Sequence, residues 1–212
     1  MITVKLLPIG FLSLGIFLLM QVILPIASFQ IWELGQKYNN NLLISPTQKD
    51  SRVLGISIQS KDNFSAIVST LRRETQPTYT QFNLSIPRLN IDKIQVLVDS
   101  NDLSNSLAHL PGSALPGEKG NVFISGHSAL SNFFSLKKAL FGNLTDLKKG
   151  DQILVEVEGV KFRYEVSQLK VVDPNDLSVI NAPDTQGRYI SLMTCVPPGL
   201  NFKRLIILGK MI

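Results

Sequence analysis

The sequence predicts a mainly β domain, a barrel or sandwich with short helical insertions, carried behind an N-terminal transmembrane helix. Two patterns and one count point there. The 27 residues from Leu6 to Trp32 include no charged side chain. After Thr78, apolar residues recur at every second position in many short runs separated by Gly and Pro. The chain has one cysteine in 212 residues, so no intramolecular disulfide can staple it and the fold must rest on an apolar core. With 44% hydrophobic and 17% charged residues, intrinsic disorder is excluded. One Cys and two His are too few for a four-ligand zinc site, and neither a metal nor another cofactor is expected. The net charge of +5 comes without a dense basic run: Arg72-Arg73, Lys137-Lys138 and Lys148-Lys149 are isolated pairs. That argues against nucleic-acid binding and suits a domain near an anionic membrane surface.

Residues 1–5 form a short leader and 6–32 the anchor. As a helix the anchor would reach about 40 Å, more than the roughly 30 Å of a bilayer's hydrocarbon core. Trp32 ends it, where an amphipathic ring favours the membrane interface. A cleaved signal peptide competes, with Ile26-Ala27-Ser28 as a poor cleavage site, but such peptides use apolar stretches of only about 7–15 residues. Lys5 before the span and Lys37 and Lys49 after it leave its orientation a tie. Residues 33–78 read as a polar linker carrying a short strand over Leu54, Ile56 and Ile58. A helix follows at 63–74, capped by Asp62, with Phe64, Ile67, Val68 and Leu71 on one face. From 79 to 212 the period is two. The runs are Phe82-to-Ile86, Ile94-to-Val98, Val122-to-Ile124, Ile153-to-Val157, Phe162-to-Val166 continuing through Leu169 and Val171, Tyr189-to-Cys195, and Leu205-to-Leu208. Short helices are expected near Asn105–Leu110 and Asn132–Phe141.

Three residues that can do chemistry stand at strand–loop junctions, where a rigid scaffold presents reactive groups. Cys195 ends one run, Arg204 begins the next nine residues later, and His127 ends a third run after Gly126. If the last two runs pair as a hairpin, Cys195 and Arg204 sit on adjacent strands near its loop. Taken singly, each has a plainer reading: a small buried hydrophobe, a turn residue, an edge cation.

Together with the segments around them, these residues resemble the sortases, membrane-anchored cysteine transpeptidases of bacterial cell surfaces. The matching segments are Ser85-Ile86-Pro87-Arg88-Leu89, Leu107-Ala108-His109-Leu110-Pro111-Gly112-Ser113, Leu115-Pro116-Gly117-Glu118-Lys119-Gly120-Asn121, and Ile124-Ser125-Gly126-His127. Leu192-Met193-Thr194-Cys195 is similar to the family's Thr-Leu-x-Thr-Cys signature, with Ser191 in place of the first Thr, and Arg204 follows after the expected gap. The resemblance spans about residues 79–212 and implies a closed eight-stranded β-barrel. It also implies that Cys195 attacks the Thr–Gly bond of a Leu-Pro-x-Thr-Gly-like (LPxTG-like) sorting signal on secreted surface proteins. The thioester is then resolved by an amine acceptor such as a peptidoglycan precursor. A free thiol near pKa 8.5 is only a few per cent thiolate at pH 7, so a neighbouring cation has to favour the anion. His127 would be the general acid and base, Arg204 a donor to substrate or oxyanion, and Thr194 a substrate contact. His109 matches a position that is often His in the family but is not its catalytic one. No motif marks a third, orienting acid: Asp173 and Asp184 are near in sequence without an assigned role. No acidic cluster marks the cation site that some sortases have.

The resemblance implies a cytoplasmic N-terminus, an external domain from residue 33, and membrane attachment through one helix. With no second apolar span after Leu208 and no Asp-Pro-aromatic lid motif, a single-pass anchoring or housekeeping type is favoured over a pilus-polymerising one. Two other readings compete. A hydrolytic relative would use water in place of the amine. A non-catalytic, membrane-tethered barrel would keep Cys195 for packing, and Cys195→Ala would leave its binding intact. A papain-like protease is disfavoured, because there the Cys precedes the His and opens a helix.

Overall fold

The computed structural model describes residues 3–38, 42–44, 56–61, 64–70, 77–128, 139–198 and 200–212. A helix α1 (Thr3–Tyr38) is followed by strands β1 (Leu42–Ile44), β2 (Ile56–Lys61), β3 (Phe64–Ser69), β4 (Gln81–Ile86), β5 (Ile91–Leu97), β6 (Leu107–His109), β7 (Gly120–Ser125), β8 (Gln152–Val157), β9 (Val160–Val172), β10 (Arg188–Val196) and β11 (Lys203–Met211). The order β4-β5-β6-β7-β10-β11-β9-β8 closes on itself through β8–β4 pairing, giving the expected eight-stranded barrel. β5–β6 and β7–β10 run parallel and the other barrel pairs antiparallel. Closure gives each of these eight strands a neighbour on both sides.

Alternation drives the strands. Phe82, Leu84 and Ile86 of β4 and Ile153, Val155 and Val157 of β8 point inward and are buried, while their neighbours are more exposed. β9 changes parity midway, from Tyr164 and Val166 to Leu169 and Val171, all four in the core. The change occurs at Ser167, where Gly209 of β11 faces Val166 but Leu208 faces Gln168. This is a β-bulge that resets which side chains face inward. β10 is buried on both faces from Tyr189 to Val196. Ile190, Leu192 and Val196 face the barrel interior, and Met193 joins Phe123, Val172, Leu177, Val179 and Ile206 in a second apolar cluster on its outer side.

The linker is more ordered than its polarity suggests. β1 adds to β9 in parallel, Leu42 opposite Leu169. The helix expected at 63–74 is replaced over 64–69 by a strand, β3, which pairs antiparallel with all six residues of β2. Asp62 and Leu71 lie outside the described residues. The helix expected at Asn105–Leu110 is likewise a strand, β6, held between β5 and β7. Most of the helix expected near Asn132–Phe141 falls outside the described residues, and Phe141 itself is in a turn.

Within α1, Phe11–Gly35 has a mean hydropathy of 2.2, long and apolar enough to cross a membrane. Its large side chains from Phe11 to Leu24 are exposed, whereas Phe29 is buried in the barrel's core cluster with Trp32 packed beside it. Their rings stack with centroids 5.6 Å apart, and Trp32 Nε1 donates to the Thr145 carbonyl at 3.0 Å.

Candidate active site

The hairpin β10–β11 sets Cys195 directly opposite Arg204. Directly opposed residues of an antiparallel pair share one face, with Cα atoms about 4.5–5.5 Å apart. β7 lies on the other side of β10, in parallel register, with Ser125 opposite Met193. Two residues further along lie His127, just past the end of β7, and Cys195, within β10. The Gly126 amide donates to the Met193 carbonyl at 3.1 Å, and the Phe141 amide donates to the His127 carbonyl at 3.0 Å, so His127 has a fixed backbone position. The three residues expected to act together therefore come from three neighbouring strands at one end of the barrel.

Thr194 faces the other way. Its hydroxyl, expected to meet substrate, donates to the Gly126 carbonyl at 3.0 Å, a bond that fixes the approach to His127. Gly126 is required by space as well. A Cβ there would lie 2.5 Å from Leu107 Cδ2 and 2.6 Å from Phe141 Cδ2. The backbone at Gly126 is thus approached closely by core side chains.

Burial dominates the electrostatics. Cys195 is 3% exposed, clustered with Leu103 and Ala108. Desolvation pushes its thiol up to about 11, and the Arg204 charge pulls it down by less. Arg204 is 1% exposed, and burial lowers its pKa from the ordinary arginine value, with the Cys195 charge opposing. Its Nη1 donates to the Asn201 and Lys203 carbonyls, each at 3.1 Å, which ties the guanidinium to the loop leaving the site. The expectation that a neighbouring cation favours the thiolate is met in direction and outweighed in size.

The other expected residues have structural partners. His109 is fully buried; the Asp99 amide donates to its Nδ1 at 3.3 Å, and its Nε2 lies 2.9 Å from both the Ala114 carbonyl and Ser113 Oγ. The same Nδ1 lies 3.3 Å from Asp99 Oδ1. Asp173 pairs with Lys203 Nζ at 2.6 Å. Asp184 accepts from Tyr189 Oη and from the Gln186 and Gly187 amides, so neither aspartate orients His127 by any of these bonds. Among the described residues no group of three His, Cys, Asp or Glu could hold a metal ion. Leu103 and Ala108, the cover on the thiol, were not singled out from the sequence, because only the tertiary fold brings them to Cys195.

A family model described as Sortase domain matches residues 84–212. Sortase D of Bacillus subtilis (strain 168) is 33% identical over 131 residues, covering 60% of this chain and 61% of that protein. Sortase A of Listeria monocytogenes is 33% identical over 94 residues, covering 44% of this chain and 39% of that one. The chain thus spans about three-fifths or less of the length of these curated relatives. Among solved structures, a lid mutant of sortase A from Corynebacterium diphtheriae superposes with a TM-score of 0.56 at 33% identity, covering 63% of this chain and 70% of that one. Sortase C1 from Streptococcus agalactiae gives 0.55 at 32% identity, covering 62% and 66%.

Proposed function

The chain belongs to the sortase family, and from that premise we propose that it is a cysteine transpeptidase acting at the outer face of a bacterial cytoplasmic membrane. Cys195 Sγ attacks the Thr carbonyl of an LPxTG-like signal while His127 takes the thiol proton. Collapse of the tetrahedral adduct breaks the Thr–Gly bond, and the imidazolium returns that proton to the glycine amine. An amine acceptor, such as one on a peptidoglycan precursor, then attacks the thioester and loses its proton to His127. The C–S bond breaks and the thiol is restored. Arg204 stabilises the oxyanion in both halves. Thr194 holds the strand end that carries His127. The N-terminus lies in the cytoplasm and the barrel outside, on the side where secreted substrates and cell-wall acceptors are found.

The observation that carries this reading is the register: Arg204 opposite Cys195, with the end of β7 alongside. A thiol pKa of about 11 leaves about one part in ten thousand as thiolate at pH 7. The reaction therefore depends on a base that removes the proton as substrate arrives, and His127 fills that role. The pH–rate profile should be bell-shaped, with both limbs belonging to the coupled pair.

The test uses the full chain in detergent micelles with a pool of Leu-Pro-x-Thr-Gly peptides and an added amine, read by mass spectrometry. A Thr-linked amide that is lost in Cys195→Ala is the expected product. Free acid alone would replace transfer by hydrolysis, and no product across the pool would overturn the assignment. Arg204→Lys should lose about 10²–10³-fold in kcat, because an ammonium does not reproduce the planar fork. Near-normal turnover would remove Arg204 from the oxyanion role.

A further inference from the structure

The segment between β5 and β6 covers the thiol. The Ser100 amide donates to the His109 carbonyl at 3.0 Å, the Asp102 amide to Ser100 Oγ at 3.0 Å, and the Ser104 amide to Asp102 Oδ1 at 2.9 Å. This tight local structure turns Leu103 inward, 9% exposed, onto Ala108 and Cys195. A second fastening comes from elsewhere in the chain. Asn101 Oδ1 accepts from the Ser69 amide at 3.3 Å, and Asn101 Nδ2 donates to the Ser69 carbonyl at 3.1 Å.

Ser69 is the last residue of β3 and is buried. The β2–β3 hairpin is itself seated on the barrel through Ile67, in the apolar cluster that contains Met193, two residues before Cys195. One carboxamide, using both its donor and its acceptor, thus joins the hairpin to the segment that covers the nucleophile. Cys195 is 3% exposed, and Leu103 is one of the two side chains buried with it.

We propose that Asn101 is a positioning residue: by clamping the end of β3 to the 100–104 segment, it sets where Leu103 stands over Cys195 and so how substrate gains the thiol. The proposal rests on Cys195 being the nucleophile. It assigns the N-terminal hairpin a part in the site, although that hairpin precedes the matched Sortase domain.

Cys195 is the only thiol in the chain, so alkylation by iodoacetamide reports access to it without any substrate. In the full chain in detergent micelles, Asn101→Ala should be alkylated about tenfold faster, the factor expected for losing roughly one to two net hydrogen bonds. Leu103→Ala should be faster too, and the double variant no faster than Leu103→Ala alone, because both act through one cover. Asn101→Asp, which keeps the shape but sets a carboxylate against the Ser69 carbonyl, should follow Asn101→Ala and serves if the alanine variant fails to fold. With peptide substrate, Asn101→Ala should lower KM several-fold and leave kcat within about twofold, because the uncovered state is populated more often, whereas mere loss of structure would lower kcat. An alkylation rate equal to wild type in both Asn101 variants overturns the proposal, as does a double variant that adds the two effects. Faster alkylation in a protein that turns over no peptide would support the clamp and overturn the transpeptidase reading instead.

Discussion

At the scale of single residues, the site depends on what is missing at Gly126 and on what surrounds Cys195. Gly126→Ala drives a methyl group to within 2.6 Å of both Leu107 and Phe141, two fully buried side chains. Overpacking of this kind costs about 1–3 kcal/mol, and a thermal melt should fall accordingly. Activity should fall further than stability does, since the displaced backbone leads into His127. The thiol makes its own prediction. Raised by burial to about 11, Cys195 should be alkylated about tenfold faster for each pH unit from 7 to 10, with no plateau in that range. A plateau below pH 9 in the resting protein would mean that a standing imidazolium outweighs burial. The sole Cys, the Gly-His pair and the Arg nine residues on were legible in the sequence because their chemistry is rare and their junction positions follow from strand alternation. Leu103, Ala108 and Asn101 were not, since a leucine, an alanine and a loop asparagine acquire meaning only through neighbours distant in sequence.

At the scale of elements, most strands were legible from their alternation, and β1, β3 and β6 were not. Phe64, Ile67 and Val68 satisfy helical spacing, yet the six residues of β3 find a full-length partner in β2. A pairing that extends a whole strand outweighs a short amphipathic match. β6 was hidden for a different reason: Leu107, Ala108 and His109 are all buried, so there is no exposed face to produce alternation. The break of parity in Phe162-to-Val171, visible in the sequence, has its explanation in the bulge at Ser167, whose Oγ donates to the Leu208 carbonyl at 3.0 Å. Deleting Ser167 removes the extra residue of the bulge and sets Tyr164, Val166, Leu169 and Val171 in one alternation, all four still facing the core. We expect that variant to keep a cooperative thermal transition; its loss would mean that β9 needs the bend of the bulge as well as its inward side chains. Ser167→Ala, which keeps the bulge and loses only the side-chain bond, should melt within a few degrees of wild type.

At the scale of the whole molecule, the apolar helix is docked on the barrel through Phe29 and Trp32 as well as being joined to it by the chain. Trp32 is the only tryptophan, so its fluorescence reports this contact alone. In micelles, denaturant should shift Trp32 emission at the same midpoint at which β-sheet circular dichroism is lost. Emission that stays constant through barrel unfolding would mean that the helix and barrel are not in contact.

The apolar cover over Cys195 has a consequence for the lifetime of the protein. A lone thiol has no second cysteine in the chain with which to form a protective disulfide, and its thiolate is open to oxidation through sulfenic to irreversible sulfinic and sulfonic acids. Oxidation proceeds through the accessible anion, and the burial of Cys195 suppresses both the access and the anion. Folding therefore acts as the chain's antioxidant: an exposed cysteine titrates near 8.5 and ages quickly, while the folded one is kept reduced.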